Sequence, residues 1–198
     1  MANGTLKVSN IETSSGSGTI TIGQSGETVS VPSGATLDMS SGTMTLNSTM
    51  KNTPAFHVYL SSQQDISNDT STKIQFDTVV FDTDSCYDNT TNYRFTPTTA
   101  GKYYFYSLVD CRGKSGTNNV QYVSNDIRKN GTQMSNPSIS TYNQNYLSDA
   151  VTFAGAVIDM NGSTDYVDFR ASAGGSADIA VRSGQKKTYA GGYKLIGV

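Results

Sequence analysis

The sequence contains few of the side chains from which catalytic and metal sites are usually built. Its 198 residues include a single histidine, His57, and two cysteines, Cys86 and Cys111. Any Ser-His-acid arrangement would depend on His57, and a zinc site would need a cluster of Cys and His that is missing here. Two cysteines are too few for a disulfide scaffold, so we favour unpaired thiols, with a Cys86–Cys111 pair as the alternative. This inventory predicts a protein that is not an enzyme and uses no cofactor.

Charge is equally scarce. Charged residues make up 15% of the chain, the formal net charge is -2, and no basic cluster exceeds the pair Lys186-Lys187. Because nucleic-acid binding requires a basic patch, we expect no nucleic-acid partner. No apolar run is long enough to span a membrane, and the N-terminus lacks the basic and apolar stretches of a signal peptide. We therefore expect neither membrane insertion nor secretion through a signal peptide.

The residues that are abundant suit β-structure. The chain contains 19 Gly and 12 Tyr among many Ser, Thr and Asn, a composition typical of strands with neutral surfaces. From Pro54 onward, short strand-like runs recur between turn clusters, at 75–81, 103–109, 120–127, 151–158, 166–170, 177–181 and 193–196. This spacing predicts an all-β sandwich or jelly roll.

The first quarter of the chain is a repeat of eight residues. Ser-Gly pairs recur at this interval from Ser17 to Gly42, and each interval carries alternating apolar residues, such as Ile20 and Ile22. Ser-Gly favours a turn, and each interval suits a short strand with one apolar edge. Because such a strip cannot form its own core, we predict that it packs against identical strips in a three-stranded stalk, with a flexible linker as the alternative. The octads end before Pro54, which predicts a β-repeat stalk or attachment segment at 1–50 and a head domain at 51–198.

The most informative motif of the head runs from Phe95 to Phe105. Phe95 is followed by five residues and then by Gly101-Lys-Tyr103-Tyr-Phe105. Period-two alternation directs Tyr103 and Phe105 to one face of a strand and the intervening residues to the other, while Gly101 gives the backbone freedom to enter the strand. The order Phe, five residues, Gly-X-Tyr-X-Phe resembles the signature of the complement C1q-like domain. That family shares its trimeric jelly-roll fold with tumour necrosis factor.

The resemblance continues in family order across residues 54–198. Pro54-Ala-Phe-His57-Val resembles the opening strand of the family, and Ala190-Gly191-Gly-Tyr193-Lys-Leu resembles its closing strand. The resemblance implies a C1q/TNF-like jelly-roll head that forms a homotrimer. It also implies structural roles for the residues that match the family pattern, namely Phe95, Gly101, Tyr103, Phe105, Asn130, Gly131, Gly191 and Tyr193.

Tyrosines among small polar residues point to a contact surface. Tyr, Ser and Asn together form rigid and adaptable surfaces for carbohydrate or protein. The segment 138–146 has this composition, and its candidate binding residues are Tyr142, Asn143, Asn145 and Tyr146. The alternative is that the tyrosines of the chain pack between the subunits of the trimer.

The densest acidic stretch contains Asp82, Asp84 and Asp88. Alternating carboxylates can bind calcium, and some relatives of the C1q-like family hold calcium near the apex of the trimer. The stretch lacks the Gly and the terminal Glu of an EF-hand loop. A solvated acidic loop is therefore the favoured interpretation, and a calcium site is the alternative.

A second resemblance concerns the octads. Residues 18–23 and 26–37 look like a module common in tail and fibre proteins of aquatic bacteriophages, which often end in a C1q-like head. This implies a virion structural protein, assembled in the host cytoplasm, whose residues 1–50 contact other virion proteins. The head is then expected to be a trimeric fibre tip that binds a glycan or protein of the host surface. The alternative is a capsid decoration or head-fibre protein that attaches to the shell through its N-terminal segment.

Overall fold

The computed structural model describes residues 18–47, 50–114, 119–141, 146–176 and 178–197, together with Ser9, Ile11 and Thr13. The chain divides into two compact units, residues 1–45 and 46–198. That residues 1–50 and 51–198 form separate domains, each folding independently, stays a prediction.

The second unit is built from short and long β-strands joined by turns, as the alternation of apolar and polar residues predicts. Its strands are β1 (Ala55–Tyr59), β2 (Gln64–Ile66), β3 (Thr72–Lys73), β4 (Thr78–Asp82), β5 (Tyr87–Asp88), β6 (Arg94–Phe95), β7 (Gly101–Gly113), β8 (Val120–Lys129), β9 (Thr132–Ser135), β10 (Ser138–Ser140), β11 (Asp149–Met160), β12 (Val167–Gly175), β13 (Ile179–Val181) and β14 (Tyr189–Lys194).

The strands form two antiparallel sheets. Sheet A has the order β2-β13-β7-β14-β1-β4, and β11 pairs with the other edge of β7. Sheet B has the order β10-β8-β12-β6-β5, with β9 paired to β8 and β3 paired to β12. β13 and β14 follow each other along one edge of β7, and the loop 182–188 separates them. This two-sheet arrangement confirms the predicted all-β jelly roll.

The core between the sheets is aromatic. Tyr103 and Phe105 of β7 and Phe56 of β1 are fully buried, and Phe95 and Phe169 meet them from sheet B. The ring centroids of Phe56 and Phe95 lie 4.4 Å apart in a stacked arrangement. Burying a large aromatic side chain contributes about 2–3 kcal/mol, so this cluster is a main source of stability. The alternation predicted for β7 is confirmed, because the residues between Tyr103 and Phe105 and on either side of them point away from the core.

The two ends of β7 define the two ends of the head. At the proximal end Gly101 lies opposite Met160, and the chain enters β1 nearby. At the distal end Arg112 lies opposite Asp149. Gly101 has a φ of 145°, which confirms that the turn into β7 uses a backbone conformation suited to glycine.

The predicted hairpin turn joins β8 to β9. Asn130 and Gly131 have φ values of 49° and 83°, as a two-residue turn of type I′ requires. The Asn130 side chain donates a hydrogen bond to Asp165 at 2.7 Å and accepts one from the backbone N–H of Tyr166 at 2.9 Å. The hairpin is thereby tied to the turn before β12.

The octads form turns but no strands in the described residues 18–47. Backbone hydrogen bonds close a turn around the Ser-Gly pair of three repeats, at 24–27, 32–35 and 39–42. The predicted short strands depend on identical strips from other chains, because a strand needs a neighbour for its backbone hydrogen bonds, so they stay a prediction. The apolar side chains remain exposed, Ile22 by 68% and Leu37 by 66%.

Cys86 and Cys111 are both free and both buried. The favoured interpretation of two unpaired thiols is therefore confirmed. Within the described ranges, no helix has the length and apolar character needed to cross a membrane.

Candidate functional site

The outer face of sheet A is apolar and aromatic. Because side chains alternate along each strand, the residues that do not enter the core point outward on this face. Phe81, Phe153 and Val157 are exposed by 47%, 51% and 57%. They continue into a row of partly exposed side chains on the neighbouring strands: His57, Tyr104, Tyr106, Leu108, Val151, Tyr189 and Tyr193. We call these ten residues the apolar face.

His57 lies in the middle of the apolar face. Its Nδ1 is 3.0 Å from the hydroxyl oxygen of Tyr106, and its ring centroid is 5.4 Å from that of Tyr189 and 6.2 Å from that of Phe81. Burial lowers the pKa of His57 below its ordinary value, because these surroundings disfavour the charged imidazolium. The contacts of His57 are thus those of a packing residue in an aromatic cluster.

Ion pairs bound the apolar face at both ends. At the proximal end the Lys102 ammonium lies 2.8 Å from Asp159, and at the distal end the Arg182 guanidinium lies 2.7 Å from Asp149. Charge is therefore placed around the apolar face rather than within it.

The outer face of sheet B has the opposite character. Asp126 and Arg128 of β8 lie opposite Arg170 and Asp168 of β12. The Arg128 guanidinium lies 2.8 Å from Asp126, and Asp168 lies 3.2 Å from Arg170 and 3.3 Å from Lys73. We call these five residues the charged face.

The predicted binding residues lie between β10 and β11 in the chain. Tyr142, Asn143 and Asn145 lie outside the described residues, so their role stays a prediction. Tyr146 is described and is partly exposed, and the adjacent Leu147 forms a β-bridge with the first residue of β8. The described residues on both sides of this loop therefore lie at the distal end, opposite the end at which the chain enters β1.

The acidic stretch uses two of its carboxylates to shape turns. Asp82 accepts hydrogen bonds from two backbone N–H groups of the turn that follows it, at 3.0 and 2.8 Å. Asp88 accepts three such bonds, the shortest from Thr91 at 2.9 Å, and these bonds hold the pKa of Asp88 well below its ordinary value. Among the described residues, no group of three His, Cys, Asp or Glu side chains is placed to hold a metal ion. The structure therefore does not bring Asp82, Asp84 and Asp88 together as calcium ligands.

The residues that match the family pattern fall into four places. Phe95, Tyr103 and Phe105 are in the core, and Gly101 begins β7. The other members of the set occupy the β8–β9 turn and β14, where Tyr193 is exposed on the apolar face. Gly191 lies beneath Tyr106, since a Cβ atom there would be only 2.4 Å from the Tyr106 hydroxyl.

A basic pocket lies at the distal end of the head, formed by residues that the sequence did not predict as a site. It has a volume of about 100 Å³ and is lined by Gln63, Arg112, Arg182, Ser183 and Lys187. We call it the distal pocket. Its residues come from separate parts of the chain, which the pairing of β13 with β2 and β7 brings together. No local sequence pattern marks it, because only the register of distant strands creates it.

A buried carboxylate supports one side of the distal pocket. Asp110 is 6% exposed, and its Oδ2 lies 3.5 Å from Nη1 of Arg182. Burial raises the pKa of Asp110, and the positive charge of Arg182 opposes this shift only in part. Asp110 and Asp149 together fix the position of the Arg182 guanidinium.

Comparison with known proteins supports the architecture. The chain is similar to the TNF protein Eiger from S. frugiperda, with 15% identity, 73% of this chain and 93% of the other covered, and a TM-score of 0.53. It is also similar to murine APRIL in a crystal structure at pH 8.0, with 12% identity, 71% and 98% of the two chains covered, and a TM-score of 0.52. At these identities the likeness concerns the fold alone. No curated protein sequence matches the chain.

The family assignment rests on the sequence of the head. The family described as C1q domain matches residues 55–193, which is more than half of the chain. The match spans β1 to β14, including the core aromatics and all of the apolar face. C1q and TNF-like domains are generally binding or signalling domains without enzymatic activity. The chain belongs to the C1q domain family.

Proposed function

We propose that this protein is a non-enzymatic, homotrimeric structural protein of a bacteriophage virion, and that its C1q head is a fibre tip that binds the host surface. The apolar face is the observation that supports a trimer. Monomeric soluble proteins rarely expose a contiguous apolar surface of this kind, and its rings are of the type that forms the centre of protein interfaces. C1q and TNF-like relatives are homotrimeric, which agrees with self-association through this face.

The end at which the chain enters the head supports binding at the opposite, distal end. The chain enters β1 at the proximal end, so the N-terminal segment is joined to the head there. The described residues that flank the candidate binding loop, Thr141 and Tyr146, lie at the distal end. A tip anchored by its N-terminal segment would present this end outward.

The octads support a role in attachment or as a stalk. Their apolar side chains are exposed along residues 18–47, and their backbone groups form turns without strand partners in the single chain. Three copies, or another virion protein, would supply the missing partners. The virion itself is inferred from the resemblance of residues 18–37 to the module of bacteriophage tail and fibre proteins.

A capsid decoration or head-fibre protein is the second candidate. It is favoured by the same exposed apolar residues of the octads, because they offer a surface for docking onto an assembled shell. In that case residues 1–50 would bind the particle and the head would have no need of a receptor.

Electron microscopy of particles combined with adsorption assays separates these candidates. Phage particles that carry the intact protein should show the head on a fibre, and a head-specific antibody fragment should block adsorption to the host. Heads spread over the capsid shell, with adsorption unaffected by the fragment, would favour the decoration protein. Absence of the protein from purified particles would refute both.

A further inference from the structure

We infer that the distal pocket binds a single oxyanion, a phosphate, sulfate or carboxylate group, as part of a larger host-surface glycan. That the oxyanion belongs to a host-surface glycan rests on the proposed function, whereas binding of the oxyanion does not. Three cationic side chains, Arg112, Arg182 and Lys187, line this one small pocket.

The size of the distal pocket limits its ligand. It is a small, open depression with a volume of about 100 Å³. A tetrahedral phosphate or a carboxylate group fits this space. The pocket therefore suits a charged substituent whose carrier stays outside.

The guanidinium groups are oriented before any ligand arrives. Nη2 of Arg112 donates a hydrogen bond to Oε1 of Gln63 at 2.8 Å, and Nη1 of Arg182 donates one to Asp149 at 2.7 Å. A guanidinium has five N–H donors, so each arginine keeps further donors for a ligand. Fixed guanidinium groups recognise oxyanions well, because two parallel N–H groups match two oxygen atoms.

The positive charge of the pocket is not balanced evenly. Asp110 and Asp149 both pair with Arg182. In the described part of the chain, Arg112 forms no ion pair, and the Lys187 ammonium forms neither an ion pair nor a hydrogen bond. The Asp110 carboxylate also interacts electrostatically with Lys187 and Arg112 at longer range, so three cations of the pocket face two carboxylates. An oxyanion between Arg112 and Lys187 would supply a third negative charge, and the Ser183 hydroxyl lines the same pocket as an additional donor.

The loop that carries three of the five pocket residues is held in place by backbone hydrogen bonds. The N–H of Gly184 donates to the carbonyl of Leu60 at 2.7 Å, and the N–H of Lys187 donates to the carbonyl of Gly184 at 2.9 Å. The loop 182–188 separates β13 from β14 on the same edge of β7. A loop fixed in this way reduces the entropy lost when a ligand binds. In a trimer, three such pockets would lie at the distal end.

The test uses the full chain and four variants: Arg112→Gln, Lys187→Gln, the double variant, and the matched control Lys186→Gln, which changes a lysine outside the pocket. Arg182 is left intact, because its removal would leave the buried Asp110 without its partner. Inorganic phosphate, sulfate and glucuronate are titrated separately, and binding is followed through the NMR signals of the arginine side chains.

We expect saturable binding of at least one of the three anions. The double variant should lose about tenfold or more in affinity, since it removes two charge-assisted contacts. The Lys186→Gln control should bind as the parent protein does, and thermal unfolding should show that all variants are folded. No saturable binding, or equal binding by the folded double variant, would overturn the inference.

Two measurements test whether the oxyanion belongs to a host-surface glycan. They are the preference of the protein among the three anions and the adsorption of phage particles to the host. A preference for phosphate or sulfate would indicate a phosphorylated or sulfated glycan, and a preference for glucuronate would indicate an acidic sugar. Particles carrying the double variant should then adsorb less to the host. If adsorption is unchanged while oxyanion binding is lost, the oxyanion bound by the pocket is not part of the host receptor. If a head-specific antibody fragment blocks adsorption but the parent protein binds no oxyanion, the inference fails and the proposed function stands.

Discussion

The apolar face and the charged face lie on opposite sides of the same sandwich, and they are built from the same alternation of side chains. On the charged face, Asp126 and Asp168 are almost buried, yet each is paired with an arginine. On the apolar face, Phe153 and Val157 are more than half exposed. One side of the head has thus paired its charged side chains within a single chain, with only Oδ1 of Asp126 left without a hydrogen-bond partner among these carboxylates, and the other has left its apolar groups uncovered.

This difference assigns separate tasks to the two faces. The ion pairs of the charged face are complete without a second molecule, so they stabilise the fold of one chain and keep that side compatible with water. The apolar face gains free energy only when another surface covers it, at about 25 cal/mol for each Å² of apolar area buried. Mutations on the two faces should therefore affect different measurements.

The largest effect is expected from a charge placed on the apolar face. Val157→Asp would put a carboxylate into the contact between subunits, where an unpaired buried charge costs about 3 kcal/mol or more. Sedimentation should change from about three times 21.1 kDa to the mass of one chain. The parent protein sedimenting as a monomer at micromolar concentration would contradict the trimer itself.

The control for this variant is Gln133→Asp, which adds the same charge at an exposed position of β9 in sheet B. It should leave the trimer intact. Far-ultraviolet circular dichroism should show β-structure in both variants, because Val157 does not contribute to the core.

The converse experiment changes the charged face. Asp168→Ala removes the carboxylate that contacts Arg170 and Lys73, and leaves two cations side by side. We expect a loss of about 2 kcal/mol in the free energy of unfolding, with no change in the number of subunits. Denaturant titration measures the first quantity, and sedimentation at low denaturant measures the second. A variant that unfolds normally but dissociates would show that the charged face, too, takes part in assembly.

A smaller effect is expected at the start of β7, the strand that presents three side chains to the apolar face. Gly101 has a φ of 145°, and a Cβ atom there would lie 2.9 Å from Cε of Lys194. Gly101→Val should lower the free energy of unfolding by roughly 1–3 kcal/mol through backbone strain. Ala100→Val, at the adjacent exposed position, is the matched control and should change it little. Equal melting temperatures of the two variants would mean that the turn into β7 tolerates any residue.

The sequence predicted those parts of the head that depend on local rules. Alternation in β7 and the Asn130-Gly131 turn could be derived because both act over a few residues. The closing strand spans Tyr189–Lys194. The family resemblance predicted it at 190–195, whereas the strand-like run marked only 193–196, because Gly191 and Gly192 have no side chains to show alternation and pack against neighbouring rings. The distal pocket could not be predicted, because Gln63, Arg112 and Arg182 meet only through the register of β2, β13 and β7. The octad strands were predicted from the alternation of apolar residues. One chain alone cannot supply the neighbouring strands that their backbone hydrogen bonds require.

The smallest effect concerns the pH dependence of the apolar face. Burial holds the pKa of His57 in the folded chain below its ordinary value of 6.5. The unfolded chain therefore binds the proton more readily, so the stabilisation is complete above pH 6.5 and is lost as the pH falls through the lowered pKa of the folded chain. Contact with a second subunit would bury His57 further, and the trimer should weaken together with the fold over the same range. The melting temperature and the sedimentation mass are measured from neutral to mildly acidic pH. Because the glutamine of His57→Gln cannot titrate, both quantities should depend less on pH in this variant than in the parent protein. If the parent protein and His57→Gln respond equally to acid, other groups control the pH dependence, and the aromatic surroundings of His57 do not disfavour its charge.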